Sequence, residues 1–173
     1  MALYLSTQRL NLIELSSEKA LVDDALIAAI PFILTETVVA SLPPYFHGVS
    51  NAVEVKSWLS KMRSESRLFL IKDKHDACLG FVFVSHTDKA EKHIGYLLGQ
   101  EYWGKGFASE LLIAFIKRAE QIESWRSLVG GVEKGNVASA KLLLKLGFIP
   151  QENEHENVDF FEYVLNKGLL NRV

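Results

Sequence analysis

Hydrophobic and polar residues alternate with two different periods along the chain, and the first part is mostly helical in pattern. Leu10 and Leu12, separated by a polar residue, predict a first strand. Apolar residues three and four positions apart then predict three helices, over about 17–30, 32–40 and 51–64. Ser16 or Ser17 would cap the first of these helices, and Pro31 would break or restart it.

From Arg67 onward the period shortens to that of strands. A polar turn from Asp73 to Asp76 separates two apolar runs, 68–71 and 78–85, which predict an antiparallel hairpin. A central strand is predicted from Ile94 to Leu98, followed by a helix of about four turns that buries Leu111, Leu112, Phe115 and Ala119. A fifth strand is predicted from Ser127 to Val132, and a second helix from Asn136 to Leu146, ended by Gly147. The last hairpin would be formed by Phe148-Ile149 and Val158 to Leu165. We therefore predict one α+β domain over residues 1–173, with a mixed, mostly antiparallel sheet of about seven strands flanked by helices.

A glycine-rich loop, Trp103 to Ala108, joins the central strand to the long helix. Gly104, Gly106 and Ala108 leave the backbone N–H groups uncovered where the helix begins. Unpaired amides and the positive end of the helix dipole together favour a phosphate group, and Lys105 can add charge at the rim. The loop is therefore a candidate phosphate-binding site.

This loop alone allows three other interpretations. A nucleotide-triphosphate loop would need Ser or Thr after Lys105, where this chain has Gly106. A dinucleotide fingerprint would need a third glycine three residues after Gly106, where this chain has Ser109. A turn that merely joins a strand to a helix is the third possibility, and a second motif downstream argues against it.

The second motif is Asn136 followed three residues later by Ser139. Asn136 is a good helix N-cap, and capping would be its whole role in the simplest interpretation. Ser139, however, would lie at the same open end of the sheet as the glycine-rich loop. Two polar side chains beside a phosphate-binding loop outline a cofactor cleft.

The overall composition limits the partners. Of the 173 residues, 49% are hydrophobic and 23% are charged, with a formal net charge of -2, which is typical of a globular protein without an electrostatic footprint for nucleic acid or an anionic membrane. No apolar run approaches about 18 residues and no secretion signal is visible, so we expect a cytoplasmic protein. No His/Cys cluster has metal-ligand spacing, so we expect no metal. The single cysteine, Cys78, excludes an internal disulfide and lies in an apolar run where packing is the expected role.

Together these motifs resemble the GNAT superfamily of N-acetyltransferases. The family's acetyl-CoA loop reads Gln/Arg-x-x-Gly-x-Gly/Ala, and Gly106 and Ala108 fit its glycine and its last small residue. The phrase Tyr-Trp-Gly-Lys-Gly around Trp103 resembles the RimJ/RimL-type branch, which acetylates protein N-termini; so do Thr7-Gln8-Arg9-Leu10, Ile94-Gly95-Tyr96 and the Asn-x-x-Ser…Lys-x-Gly-Phe block. The resemblance covers nearly the whole chain and is weakest from about 31 to 66.

The resemblance implies a role for each matching residue. The sheet would be splayed by a bulge between its fourth and fifth strands, which frees Leu97 and Leu98 to bind the pantetheine arm of acetyl-CoA, with the Leu98 amide donating to the thioester oxygen. Asn136 would bond the pantetheine, and Ser139 would lie near the departing sulfur. The pyrophosphate would be held by the loop and the first helical turn: Trp103, Gly104, Lys105, Gly106, Phe107, Ala108 and Ser109.

The implied reaction is direct attack of a neutral primary amine on acetyl-CoA. Many family members use a Tyr in the last helix as general acid, and the matching residue here is Leu143, which leaves Ser139 or a water as the proton donor. His93 occupies the place where this branch commonly has Glu, and an imidazole can act as base near neutral pH; the alternative is that His93 is only a half-exposed strand residue. Glu91, Glu154 and Glu156 are the alternative bases, and Glu154 and Glu156 can equally be a solvated turn or attract a cationic amine.

Three functions are compatible with this pattern. The first is transfer of the acetyl group of acetyl-CoA to the N-terminal α-amine of a protein or peptide, in a ternary complex. The second is acetylation of a small-molecule amine such as a polyamine, an amino acid or a drug. The third is a non-catalytic acetyl-CoA-binding module. In each case we expect no nucleic-acid or membrane partner, and a monomer or a homodimer.

Overall fold

The computed structural model describes residues 3–16 and 22–166. In these residues eight strands form one sheet in the order β1-β2-β3-β4-β5-β6-β8-β7. The strands are β1 (Tyr4–Ser6), β2 (Leu10–Glu14), β3 (Ser66–Asp73), β4 (Cys78–Ser85), β5 (Glu91–Leu98), β6 (Ser127–Glu133), β7 (Ile149–Gln151) and β8 (Val158–Val164). Neighbouring strands are antiparallel except for β5 and β6, which are parallel. The prediction of a mixed, mostly antiparallel sheet is confirmed.

Helices cover both faces of the sheet: α1 (Asp24–Ile33), α2 (Glu36–Val39), α3 (Ala52–Glu65), α4 (Phe107–Ile122) and α5 (Val137–Lys145). Successive residues of β3 point to opposite faces, as strand geometry requires. Leu68 and Leu70 pack with α1, α2 and α3, whereas Phe69 and Ile71 pack with α4 and α5. The sheet is therefore the middle layer between two hydrophobic cores.

The first helix differs from its prediction. It begins at Asp24, and its N-cap is Asp23, whose carboxylate accepts a hydrogen bond of 2.8 Å from the Leu26 amide. Residues 17–21 of the predicted helix, with Ser17, lie outside the described residues, and Ser16 does not cap α1. Pro31 lies within α1 and neither breaks nor restarts it, since the helix continues for two residues beyond the proline, to Ile33.

The sheet opens between β5 and β6, which are the fourth and fifth strands of the prediction because β1 was not predicted. The two strands pair from Glu91–Ser127 to Ile94–Gly130, after which β5 continues along β4 while β6 continues along β8. The register between β4 and β5 is regular, so the expected bulge does not accompany the splay in this part of the sheet. The result is a wedge-shaped opening beside the last residues of β5.

Close packing of α5 on β6 depends on a glycine at the start of this opening. A Cβ atom at Gly130 would lie 2.8 Å from Cδ1 of Leu143, so any larger residue would force the Leu143 side chain to shift. At the same end of α5, Leu146 is the C-cap and Gly147 follows with a φ of 94°. The C-terminal half of α5 is thus held against β6, and at its other end the helix is capped by Asn136.

Candidate active site

Two cavities meet where β5 and β6 separate. One, of about 500 Å³, lies beside the glycine-rich loop and the start of α4. The other, of about 370 Å³, lies beside the segment around Tyr45 and the middle of β6. We call them the loop-side cavity and the far-side cavity. Both are lined by Ser41, Leu42, Tyr96, Leu97, Asn136 and Ser139. A long molecule bound in the first cavity would therefore present its end to the second.

The glycine-rich loop has the backbone geometry of an anion site. Gly104 and Gly106 have φ values of 69° and 78°, in the left-handed region that glycine adopts without strain. Gly106 is the N-cap of α4 and carries no side chain to cap the helix. The first amides of α4 therefore face the loop-side cavity without a capping side chain, at the positive end of a 16-residue helix.

Trp103 joins this loop to the end of β5. Its indole Nε1 donates a hydrogen bond of 2.8 Å to the carbonyl of Leu98. Within a strand the N–H and C=O of one residue point to the same side, and successive residues alternate. Because the amide of Gly99 donates to the carbonyl of Leu79 on β4, the backbone groups of Leu97 also face β4, and those of Leu98 face the opening. The predicted donor to a thioester oxygen, the Leu98 amide, thus lies on the open edge of β5.

Thr7 and Arg9, which lie between β1 and β2, form hydrogen bonds with the first turn of α4. This contact was not predicted from the sequence. Nε of Arg9 lies 2.6 Å from Glu110, and Nη1 donates to the carbonyl of Lys105 at 2.9 Å. The hydroxyl of Thr7 also donates to Glu110, at 2.6 Å, while the guanidinium lies 4.4 Å from the ring centre of Phe107. Burial raises the pKa of Glu110, but the hydrogen bonds from Thr7 and Arg9 outweigh it and hold the pKa below its ordinary value. The only hint in the sequence was that Thr7 and Arg9 belong to a stretch resembling the RimJ/RimL-type branch.

Asn136 and Ser139 lie together, as predicted. The Asn136 side chain accepts a hydrogen bond of 3.2 Å from the Ser139 amide and caps α5. The Ser139 hydroxyl accepts a hydrogen bond of 3.3 Å from the hydroxyl of Tyr96 on β5. Burial raises the pKa of Tyr96, and the hydrogen bond to Ser139 offsets part of that rise. Tyr96 was quoted in the sequence only as part of a motif, and its position between the cavities was not foreseen.

The candidate bases are spread over different places. His93 lines the far-side cavity, and its side chain is 54% exposed, with Nε2 3.8 Å from the Glu91 carboxylate. Glu91 lines neither cavity, and its carboxylate lies 3.7 Å from Arg126. Glu154 and Glu156 are exposed in the loop between β7 and β8, outside both cavities. The structure therefore brings His93, but not the three carboxylates, to the cleft.

The wall of the far-side cavity combines aromatic rings with two carboxylates. The rings belong to Tyr45, Phe46, Phe83 and Phe148. The carboxylates are those of Glu65 and Glu133, and Glu65 is already paired with Lys61 at 2.6 Å. Apart from His93, none of the described residues that line this cavity is basic. The cavity can accept an apolar body that carries a cationic or neutral amine.

Two further expectations concern reactive and metal-binding groups. Burial raises the pKa of the Cys78 thiol to about 11, which favours packing over a nucleophilic role. Among residues 3–16 and 22–166, no group of three or more His, Cys, Asp or Glu side chains could hold a metal ion. None of the helices in that same part of the chain is long and apolar enough to cross a membrane.

The family model described as an acetyltransferase (GNAT) domain matches residues 9–149, which include the glycine-rich loop, β5, β6 and α5. The chain belongs to the GNAT acetyltransferase family. The resemblance drawn from the Gly106 and Asn136 motifs is thereby confirmed at the level of the family.

Similar proteins fit this GNAT assignment. The uncharacterized N-acetyltransferase p20 of Bacillus licheniformis is 31% identical over 108 residues, which are 60% of this chain and 61% of that protein. Among solved structures, the ribosomal-protein alpha-N-acetyltransferase RimL in complex with coenzyme A has a TM-score of 0.78 at 14% identity, over 96% of this chain and 100% of that one. The spermidine N-acetyltransferase of Vibrio cholerae, in complex with coenzyme A and spermine, has a TM-score of 0.72 at 16% identity, over 91% and 96%. These two structures share the GNAT fold with this chain.

Proposed function

We propose that this GNAT domain transfers the acetyl group of acetyl-CoA to the N-terminal α-amine of a protein or peptide, as a member of a RimJ/RimL-like branch. The observation that carries the proposal is the meeting of two cavities in the β5–β6 opening, with the glycine-rich loop lining the loop-side cavity. This arrangement suits a long donor that is anchored by phosphates and delivers its acyl end to a second substrate. Acetyl-CoA is such a donor.

The donor would lie along the loop-side cavity. Its pyrophosphate would accept hydrogen bonds from the amides between Trp103 and Ser109, which include the uncapped N-terminus of α4. Its amide-rich pantetheine arm would add to the open edge of β5 at Leu98, while Leu97, whose backbone groups face β4, lines the cavity and Asn136 lies on the opposite wall. The thioester would then reach the junction of the two cavities.

The reaction would need little more than placement and hydrogen bonding. The neutral amine attacks the thioester carbonyl, and the Leu98 amide on the open edge of β5 stabilises the negative oxygen that forms. Free α-amines titrate near ~8 and lysine side chains near ~10.4, so an α-amine loses its extra proton with far less help. A half-exposed group such as His93 at the cavity wall is then a sufficient base.

The charges of the far-side cavity support an α-amine over a polyamine. A polyamine carries several positive charges and is best held by several free carboxylates. Of the two acidic residues that line this cavity, Glu65 is already paired with Lys61, and Glu133 is the other. The aromatic rings nearby suit an apolar first side chain of a peptide.

A panel of acceptors tests this proposal. Purified protein with acetyl-CoA is offered short peptides with a free N-terminus and an apolar first residue, the same peptides with a blocked N-terminus and an internal lysine, and spermidine. Acetylation of the free N-terminus, located by mass spectrometry, is the expected result. Faster transfer to spermidine or to the internal lysine would overturn the choice of acceptor, and binding of acetyl-CoA without transfer to any amine would indicate a non-catalytic module.

A further inference from the structure

We propose that the phenol of Tyr96 gives the departing CoA thiolate its proton, with the Ser139 hydroxyl as the partner that holds and recharges that phenol. The inference rests on the proposed acetyl transfer and names the acid that this reaction needs. It assigns the role of general acid to a residue of strand β5. The α5 residue that matches the family's general acid is Leu143, which is apolar and cannot donate a proton.

The position of Tyr96 is the first argument. It lies two residues beyond Ile94, the last residue of β5 that pairs with β6, and so it is at the beginning of the opening. Its hydroxyl crosses that opening to α5 and lies 3.3 Å from Oγ of Ser139. Both side chains line both cavities. The pair therefore marks the junction at which a donor in one cavity meets an acceptor in the other.

The choice among the available donors is the second argument. Of the side chains that line both cavities, those with a hydroxyl group are Ser41, Tyr96 and Ser139. A phenol titrates near ~10 in water and is a far stronger acid than the alcohol of a serine. Burial raises the pKa of Tyr96, which keeps the phenol protonated, and so able to donate, at neutral pH. The contact with Ser139 holds the phenol oxygen at the junction, where the hydroxyl can turn its proton from Ser139 to a bound sulfur.

The step balances as follows. The amine nitrogen forms a bond to the carbonyl carbon, and collapse of the tetrahedral intermediate breaks the C–S bond, with the electron pair going to sulfur. The Tyr96 hydroxyl, which donates to Ser139 before the reaction, turns to the sulfur and gives it its proton. The phenolate regains a proton from Ser139, which is recharged by water in the cleft. The extra proton on the nitrogen goes to water or to a base on the far-side wall. The sum is an amine plus acetyl-CoA giving an N-acetyl amine plus the CoA thiol.

Tyr96→Phe is a clean test because the ring packs against the core while only the hydroxyl faces Ser139. A matched control is Tyr163→Phe, which also removes a partly buried phenol with one hydrogen bond, of 3.4 Å to Glu120, outside both cavities. We expect Tyr96→Phe to lower kcat about a hundredfold while the KM for acetyl-CoA stays within about twofold, since general acids typically contribute a hundredfold or more. Tyr163→Phe should retain the wild-type kcat.

A second readout needs no acceptor and so separates this inference from the proposed function. The thiol of bound CoA is titrated by its thiolate ultraviolet absorbance in wild type, Tyr96→Phe and Ser139→Ala. Because a phenol that donates to sulfur stabilises the thiolate, the pKa of the bound thiol should rise in Tyr96→Phe more than in Ser139→Ala. Failure of the wild type to bind CoA would remove the proposed function itself. Normal CoA binding with an unchanged thiol pKa in Tyr96→Phe, or loss of turnover in Ser139→Ala or Ser41→Ala but not in Tyr96→Phe, would overturn the role of Tyr96.

Discussion

Arg9 and Glu110 are 101 residues apart in sequence, yet Nε of the arginine lies 2.6 Å from the glutamate carboxylate at the first turn of α4. The same guanidinium donates to the carbonyl of Lys105 inside the glycine-rich loop. The segment before β2 therefore fixes both the loop and the helix end that we assign to the donor phosphates. This contact connects the edge of the sheet to the binding of acetyl-CoA.

Glu110→Gln tests whether this contact positions the loop. Simple electrostatics predicts tighter binding of acetyl-CoA, because the substitution removes a negative charge near the phosphates. We expect the opposite, a roughly fivefold weaker Kd, since loss of an exposed ion pair costs about 1 kcal/mol and here loosens the loop. Calorimetric titration measures the Kd, and Asp159→Asn, which removes the exposed Lys134–Asp159 pair at 3.9 Å, is the control. Tighter binding by Glu110→Gln would show that Glu110 acts only through its charge.

A second ion-pair network predicts how stability depends on pH. Glu14 lies 2.6 Å from Nε of Arg67 and accepts a hydrogen bond from the Leu3 amide, while Arg67 also bonds to Glu123 at 2.8 Å. Burial raises the pKa of Glu14, but the hydrogen bonds from Arg67 and Leu3 outweigh it and lower the pKa. A carboxylate with a lowered pKa stabilises the folded state above its unfolded value, near ~4.3, and this contribution disappears as the pH falls through the folded value.

Glu14→Gln should therefore lower the free energy of unfolding by about 2 kcal/mol at pH 7. The difference from wild type should shrink as the pH falls below ~4.3, because the wild-type carboxylate is then protonated as well. Urea unfolding at several pH values measures both effects. A difference that stays constant down to the lowest pH would mean that packing, and not the charge of Glu14, is responsible.

His93 and His155 provide a matched pair for finding the base. Both imidazoles lie against the ring of Phe160, at 6.1 Å and 5.4 Å between ring centres, but only His93 lines the far-side cavity. If His93 is the base, His93→Gln should lower kcat/KM about a hundredfold. His155→Gln should leave kcat/KM unchanged. An unaltered kcat/KM in His93→Gln would place proton removal on water or on another group.

The sequence pattern predicted the elements that local periodicity determines. The hairpin of β3 and β4, the helix α3, and the glycine-rich loop ahead of α4 lie where the apolar spacing placed them. The strand β1 was missed because three residues are too few to show an alternation, and its place depends on pairing with β2. The first helix was misplaced because Asp23, and not a serine, caps it.

The candidate site was predictable only as far as its motifs are local. Gly106 and Asn136 each act on the backbone of their own helix start, so the sequence alone reveals them. The contact of Tyr96 with Ser139 joins two elements 43 residues apart and depends on the splay of the sheet. Nothing in the spacing of those two residues indicates that their hydroxyl groups meet. Three of the candidate bases, Glu91, Glu154 and Glu156, lie outside the cavities. Glu154 and Glu156 were chosen because the loop after Phe148 borders the acceptor site in proteins that the chain resembles.

The most direct test of the account is the binding of acetyl-CoA to the wild-type protein and to Gly106→Glu, measured by titration calorimetry. Gly48→Glu is the control, because Gly48 has a φ of 71° like the 78° of Gly106, so both substitutions cost about 1–2 kcal/mol of backbone strain. We predict that wild type and Gly48→Glu bind with a micromolar Kd and that folded Gly106→Glu shows no binding heat, since a carboxylate would occupy the site of the phosphates. Equal binding by all three proteins, or binding by none, would contradict the assignment of the glycine-rich loop to acetyl-CoA.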